Sequence, residues 1–270
     1  MSSQSLHVFP SGTTDLGIEV LPGGIGVLEI RRPPHNFFDA NLVEAIASTT
    51  RELSQSADVR SLVLSSEGKN FCAGADFGGT SDAAEVSADE GAQRLYAAAV
   101  RIFEVDLPIV AAVQGAAVGG GFGLALAADF RVAGPGSRFA ANFSRIGLHH
   151  GFGMTVTLPR VVGDQHAADL LMTGRRIDGV EACRIGLVDR LVDSDDAIRD
   201  TAIALAGEIA SAAPLAVRSI RTTLRRGLAD AVAAATKHER VEQSWLRDTA
   251  DFAEGVRASV ERRAPNFAAR

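Results

Sequence analysis

Two glycine-bearing stretches hold the residues best suited to chemistry. The first, GGGFG at 119–123, follows an apolar run and opens a stretch of Leu and Ala. Glycine reaches positive φ and lets a ligand or another chain approach the backbone. The first amides of a helix lack internal partners and carry partial positive charge. The cluster therefore suits an anion or a polarised oxygen. It equally suits a tight strand–helix crossing in which side chains would clash. The second stretch, GKNFCAGADF at 68–77, is also a turn after a strand. Two such turns can aim main-chain N–H groups at one point and form an oxyanion hole. One donor of that kind contributes about 2.7–4 kcal/mol of transition-state stabilisation. Other readings fail on spacing: GxGxxG would need glycine at Leu124 or Leu126, and EGKN at 67–70 lacks the upstream Gly and the Ser/Thr of a phosphate loop. There is no GxSxG elbow and no HExxH. An oxyanion hole without a Ser or Cys nucleophile fits thioester chemistry through an enolate.

The elements that must position these turns read as alternating strands and helices. Strands are expected at 25–31, 59–65, 107–113, 130–134 and 186–192, and helices at 39–54, 87–104, 121–128 and 164–173. This alternation predicts a layered α/β core. After about residue 194 the strands stop and three long helical stretches follow, with Pro214 in a first helical turn and Gly227 at a helix stop. The chain thus divides into a core over 1–194 and a helical region over 195–270. DGVE at 178–181 and DFAE at 251–254 each place an Asp three residues before a Glu, in the manner of a capping box.

Composition narrows the function classes. A chain of 270 residues with 46% hydrophobic content can bury a sizeable core. A net charge of −6 gives no overall basic face, against a nucleic-acid partner. Cys72 and Cys183 stand in no CxxC or metal-ligand spacing, so no metal is expected and reduced thiols in the cytoplasm are the plain reading. The N-terminus lacks the basic start and apolar run of a signal peptide. Residues 107–128 are as long as a membrane span, but Pro108, Gln114 and the glycines favour a buried strand, turn and helix over membrane insertion.

At this point the sequence resembles a known family. RPPHNFFD, GKNFCAGADF, PIVAAVQGAAVGGGFGLALAADFRVA and GLHHGFGMTVTLPRVVG, with the tail DTADFAEGVRASVERRAPNF, resemble the enoyl-CoA hydratase/isomerase (crotonase) family over about residues 18–267. The resemblance implies a ClpP-like spiral of ββα turns with a C-terminal helical trimerisation layer. It implies a homotrimer or hexamer, and an acyl-CoA thioester as ligand, so that coenzyme A arrives as part of the substrate and no separate cofactor is expected. By motif position the oxyanion amides fall on Ala75 and Gly120. Substrate contacts are implied around Asn36, Lys69, Ala73 and Asp76, and around Phe77, Gly119, Gly123 and Phe143. Asp76 also suits a helix cap, and Lys69 a solvated turn. Arg262 and Arg263 suit either the CoA nucleotide or a helix end.

The chain departs from the family where proton transfer is handled. Family hydratases carry one glutamate two residues after the triple glycine and another four residues before the glycine of an LG pair; here those places hold Gly123 and Phe143. A third position used for an acid in some members holds Gly151. General acids and bases contribute roughly 10²–10⁴-fold each, so efficient hydration is not expected. His149 and His150 enter the loop that borders the reacting carbons, and histidine moves protons near neutral pH. Adjacent residues usually diverge, so one at most is expected to act; the alternative is that one packs and the other faces solvent. Phe143, Phe122 and Phe139 suit an apolar pocket wall or the core. The 78–93 loop, with Asp82, Glu85, Asp89 and Glu90, reads as solvated charge or as the source of a base. Three functions stay open: a hydratase/isomerase-type enzyme, a non-catalytic acyl-CoA binder, and a hydrolase or decarboxylase on an unusual acyl-CoA.

Overall fold

The computed structural model describes residues 14–75 and 88–270. The alternating pattern folds as expected, around one six-stranded sheet. Its strands are β1 (Leu16–Leu21), β2 (Ile25–Ile30), β3 (Ser61–Ser66), β4 (Ile109–Val113), β6 (Phe130–Ala133) and β9 (Arg190–Leu191), in that spatial order. β1 pairs antiparallel with β2, and every later pair is parallel. The intervening α1 (Ala40–Gln55), α2 (Ala88–Glu104) and α3 (Gly120–Ala127) are the crossovers that parallel strands require. A second sheet of three-residue strands, β5 (Ala116–Val118), β7 (Arg138–Ala140) and β8 (Arg176–Asp178), stacks the next turn of the spiral.

β3 and β4 are buried along their whole length; β4 reads as an unbroken apolar run, and β3 as an apolar centre flanked by buried serines. Their side chains alternate between two cores. Leu62, Leu64, Ile109 and Ala111 join the larger cluster with the crossover helices. Val63, Val110 and Ala112 face the other way, against Ile198, Ala202, Leu205 and Ala206 of α7 (Ile198–Ala210). The first of the helices after residue 194 therefore closes one face of the main sheet. The run 107–128 resolves into β4, β5 and the short α3, and among the described residues no single helix is long and apolar enough to cross a membrane.

The remaining helices are α4 (Met154–Val162), α5 (Asp164–Thr173), α6 (Gly179–Arg184), α8 (Pro214–Leu224), α9 (Leu228–Leu246) and α10 (Ala250–Val260). Asp178 caps α6 by accepting from Glu181 N at 2.8 Å, as DGVE predicts. DFAE behaves differently. Thr249 caps α10 through Phe252 N, two residues ahead of the expected Asp. Asp251, already inside the first turn, instead accepts from Ala268 N at 2.7 Å and Ala269 N at 2.9 Å and folds the C-terminal residues back. Glu254 is held well below the ordinary carboxylate range, first by Arg263, then by Asn266 N and Arg257. Arg263 thus serves the helix end.

α8 is fastened to the core by charge. Asp129, just past α3, accepts from Arg221 Nε and Arg225 Nη1, each at 2.7 Å, and from Ile109 N at 2.8 Å. Both cysteines are free thiols: Cys72 is buried, which pushes its thiol up to about 12, and Cys183 on α6 is half-buried.

Candidate functional site

The two glycine turns lie side by side. Cys72 N donates to Ala116 O at 2.9 Å, and Val118 N returns a bond to Cys72 O at 3.0 Å. Phe71 N to Gln114 O and Asn70 Oδ1 from Ala116 N extend this seam. A third segment locks it. Ala73 N donates to His35 O, and Phe38 N to Gly74 O, each at 3.0 Å. Asn36 is fully buried, and its side chain accepts from Arg32 N and donates to Glu67 O and Asn70 O. Its amide is thereby committed to holding the 67–70 turn, beside which Lys69 is exposed.

The glycines are needed for this proximity. Gly74 has φ +87°, and a Cβ there would lie 2.8 Å from Val118 O and 3.9 Å from Gly120 N. Gly119 has φ +55°, outside the range of most side-chain-bearing residues. A Cβ on Gly121 would strike Cys72 O, and one on Gly120 would strike the Phe38 ring. The crossing requires bare backbone, and Gly120 at the helix start is buried against the Phe38 ring. Among the described residues, neither Ala75 N–H nor Gly120 N–H donates to a backbone acceptor. Ala75 is exposed. Asp76, Phe77, Asp82 and Glu85 fall outside the described residues, as does the Asp89 side chain; Glu90 is exposed.

The place beside Gly123 is taken by an aromatic ring. A Cβ on Gly123 would lie 2.5 Å from Phe152 Cβ and 2.8 Å from its Cγ. Phe152 is 1% exposed, sits at φ +62° and packs 6.0 Å from Phe38. A bulky residue in the left-handed region costs about 1–3 kcal/mol and persists only where its surroundings fix it. Phe143 is half-buried, with its ring 3.6 Å from where a Gly119 Cβ would be. Phe122 and Phe139 pack against each other inside the core, with ring centroids 5.6 Å apart and planes tilted by 59°.

The two histidines contradict the expectation of divergence. Their rings stack, with centroids 4.1 Å apart and planes 28° from parallel. Both residues lie outside helices and strands, where adjacent side chains need not alternate. His149 Nδ1 donates to His150 O at 2.8 Å. His150 Nε2 lies 2.8 Å from Thr155 Oγ1. Burial, and secondarily the charge of His149, lower His150 from 6.5 to about 4, so it is neutral at pH 7. Both rings border a cavity of about 880 Å³ walled by Leu148, Leu171, Trp245 and Leu246; neither Ala75 nor Gly120 lines it.

Three neighbours escape a reading of local pattern. A Cβ on Gly151 would strike Tyr96 Oη. Tyr96 donates to Gln243 Oε1, whose amide donates to His149 O, each at 2.9 Å. Burial raises the Tyr96 phenol, which is neutral. Glu239 is fully buried on α9 and accepts from Gly153 N and Thr155 N. The only sequence signals are a lone tyrosine and an acid on the inward side of an amphipathic helix.

A model of the enoyl-CoA hydratase/isomerase family matches residues 21–270. A curated mouse protein named enoyl-CoA hydratase domain-containing protein 2, mitochondrial, is 34% identical over 267 residues, covering 94% of this chain and 89% of that one. The crystal structure of an enoyl-CoA hydratase/isomerase from Pseudoalteromonas atlantica T6c superposes with a TM-score of 0.82 at 32% identity, over 94% of this chain and 100% of that one. An enoyl-CoA hydratase from Mycobacterium avium subsp. paratuberculosis gives a TM-score of 0.82 at 25% identity, over 94% and 99%.

Proposed function

From the premise that the chain belongs to the enoyl-CoA hydratase/isomerase family, we propose that it binds an acyl-CoA thioester and shifts protons through an enolate. The observation that carries this reading is the seam between the two turns, which brings Gly74 beside Gly120 N. The thioester oxygen accepts from the N–H groups of Ala75 and Gly120. A base removes the α-proton, the C–H electron pair moves into the Cα–C bond, and the carbonyl pair moves onto oxygen. With a 3-enoyl thioester, returning a proton at Cγ moves the double bond into conjugation. With no carboxylate at positions 123, 143 and 151, we assign the base to a ring nitrogen of His149 or His150, which requires the cavity they border to open towards the turns that carry Ala75 and Gly120. Asn36 supports the hole by fixing the 67–70 turn. Exposed Leu215, Leu224, Met172, Val241 and Val260 support assembly into a homotrimer or hexamer.

Incubation with 3-enoyl-CoA and 2-enoyl-CoA, followed by the conjugated thioester absorbance, tests this. Isomerisation of the 3-enoyl substrate that falls in His149→Ala or His150→Ala is expected. Rapid hydration of a short 2-enoyl-CoA, indifferent to both changes, would overturn it. A second reading, a non-catalytic acyl-CoA binder, is favoured by the Phe152 ring filling the place beside Gly123. Tight binding without turnover or α-proton exchange would select it.

A further inference from the structure

Glu239 is 0% exposed, and His150 Nε2 lies 3.9 Å from its Oε1. A carboxylate in such a place needs donors to offset desolvation. It has three: Gly153 N at 2.8 Å on Oε2, then Thr155 N at 3.1 Å and Thr155 Oγ1 at 2.6 Å on Oε1. The two backbone amides are open donors at the start of α4, so capping accounts for them. It does not account for the Thr155 hydroxyl, which lies between Glu239 and His150.

The direction of each bond follows from the donor inventory. Both Glu239 oxygens accept from backbone N–H groups, and Thr155 Oγ1 donates its one proton to Oε1. Its oxygen can then only accept from His150, which requires a proton on His150 Nε2. His149 is fixed in the opposite sense, because the His150 carbonyl accepts from Nδ1. The atoms left with lone pairs are His150 Nδ1 and His149 Nε2, and neither is hydrogen-bonded among the described residues.

We infer that Glu239 is a positioning residue that acts through Thr155 to hold His150 as the Nε2–H tautomer, leaving Nδ1 as the atom that takes the substrate proton. The acid that family hydratases carry on the core is replaced, in this arrangement, by a carboxylate on a C-terminal helix working at one remove. The inference rests on the proton-shifting reading above for its chemistry, but the tautomer is measurable without any substrate.

The test is nitrogen-15 NMR of the imidazoles in the full-length protein, assigned with His149→Gln, together with deuterium uptake at the α-carbon of butyryl-CoA. Thr155 is exposed as a residue, so Thr155→Val leaves the core packing in place. The wild-type protein is expected to show His150 protonated at Nε2. Thr155→Val is expected to populate both tautomers and to lower α-proton exchange about tenfold or more, a share of what a well-placed base contributes. Thr155→Ser, which keeps the hydroxyl, restores the Nε2–H form. A wild-type His150 protonated at Nδ1, or a Thr155→Val protein that keeps the Nε2–H tautomer, overturns the inference. Absence of deuterium uptake by the wild-type protein overturns the proton-shifting reading instead, and the tautomer comparison still decides the role of Glu239.

Discussion

Gly123 and Phe152 should behave as one unit, and a double-mutant cycle measures this. Gly123 lies in the interior of α3, where Gly→Ala ordinarily stabilises by about 0.5–1 kcal/mol. Here the new Cβ would stand 2.5 Å from Phe152 Cβ, an atom fixed to the backbone that no rotamer change can move. Overpacking of this kind costs about 1–3 kcal/mol. Gly123→Ala is therefore expected to destabilise by about 1–2 kcal/mol net. Phe152→Gly removes a ring that is 1% exposed, for a loss of about 3–5 kcal/mol. Glycine at φ +62° recovers about 1–2 kcal/mol of that. In the double variant the clash is gone and the helix gain remains, so the two changes should fall short of additivity by about 2 kcal/mol, within the range of directly touching pairs. Urea denaturation at constant m-value reads all four corners. Additivity to within about 0.5 kcal/mol, as for distant sites, would refute the claim that Phe152 is what keeps position 123 bare. The chemical extension is Gly123→Glu with Phe152→Gly, which should gain hydration of a 2-enoyl-CoA that neither single variant shows.

Two further outcomes follow from the electrostatics. His150 titrates at 6.5 when unfolded and about 4 when folded. Between those values the unfolded chain binds the extra proton, so stability rises with pH from about 4 and the full contribution is present above 6.5. The side chain is only 18% exposed, and at 1.36 kcal/mol per unit the contribution is about 3 kcal/mol. His150→Gln should flatten the difference between denaturation midpoints at pH 4.5 and 7, and an unchanged difference would contradict the burial argument. Asp129→Asn should cost about 3–5 kcal/mol in the same assay, because it leaves the buried guanidiniums of Arg221 and Arg225 uncompensated; a loss below about 1 kcal/mol would mean that the cluster does not fasten α8.

The legibility of this chain follows the range of its interactions. α5 spans 164–173 as the sequence predicts, because Gly163 and Gly174 punctuate both ends. β4 is wholly apolar and β3 has an apolar centre, so both are equally plain. β5, β7 and β8 are three residues each, too short to carry a period. The two glycine turns are readable because their constraint is local, a backbone that must stay bare. Phe152 is not, since its reason lies 29 positions earlier at Gly123 and neither residue looks unusual alone. Glu239, Gln243 and Tyr96 are further out of reach: Tyr96 meets Gln243 across 147 positions, and Glu239 meets Thr155 across 84. The stacking of His149 on His150 escapes the rule that neighbours diverge because that rule assumes regular backbone.

The two thiols give the molecule a built-in clock. Half-buried Cys183 on α6 is expected to react with a soluble alkylating reagent before Cys72, which is buried and reacts only when the chain around it comes apart. Since the Cys72 backbone belongs to the seam between the glycine turns, the arrival of a second label per molecule times the opening of the very region on which catalysis would depend.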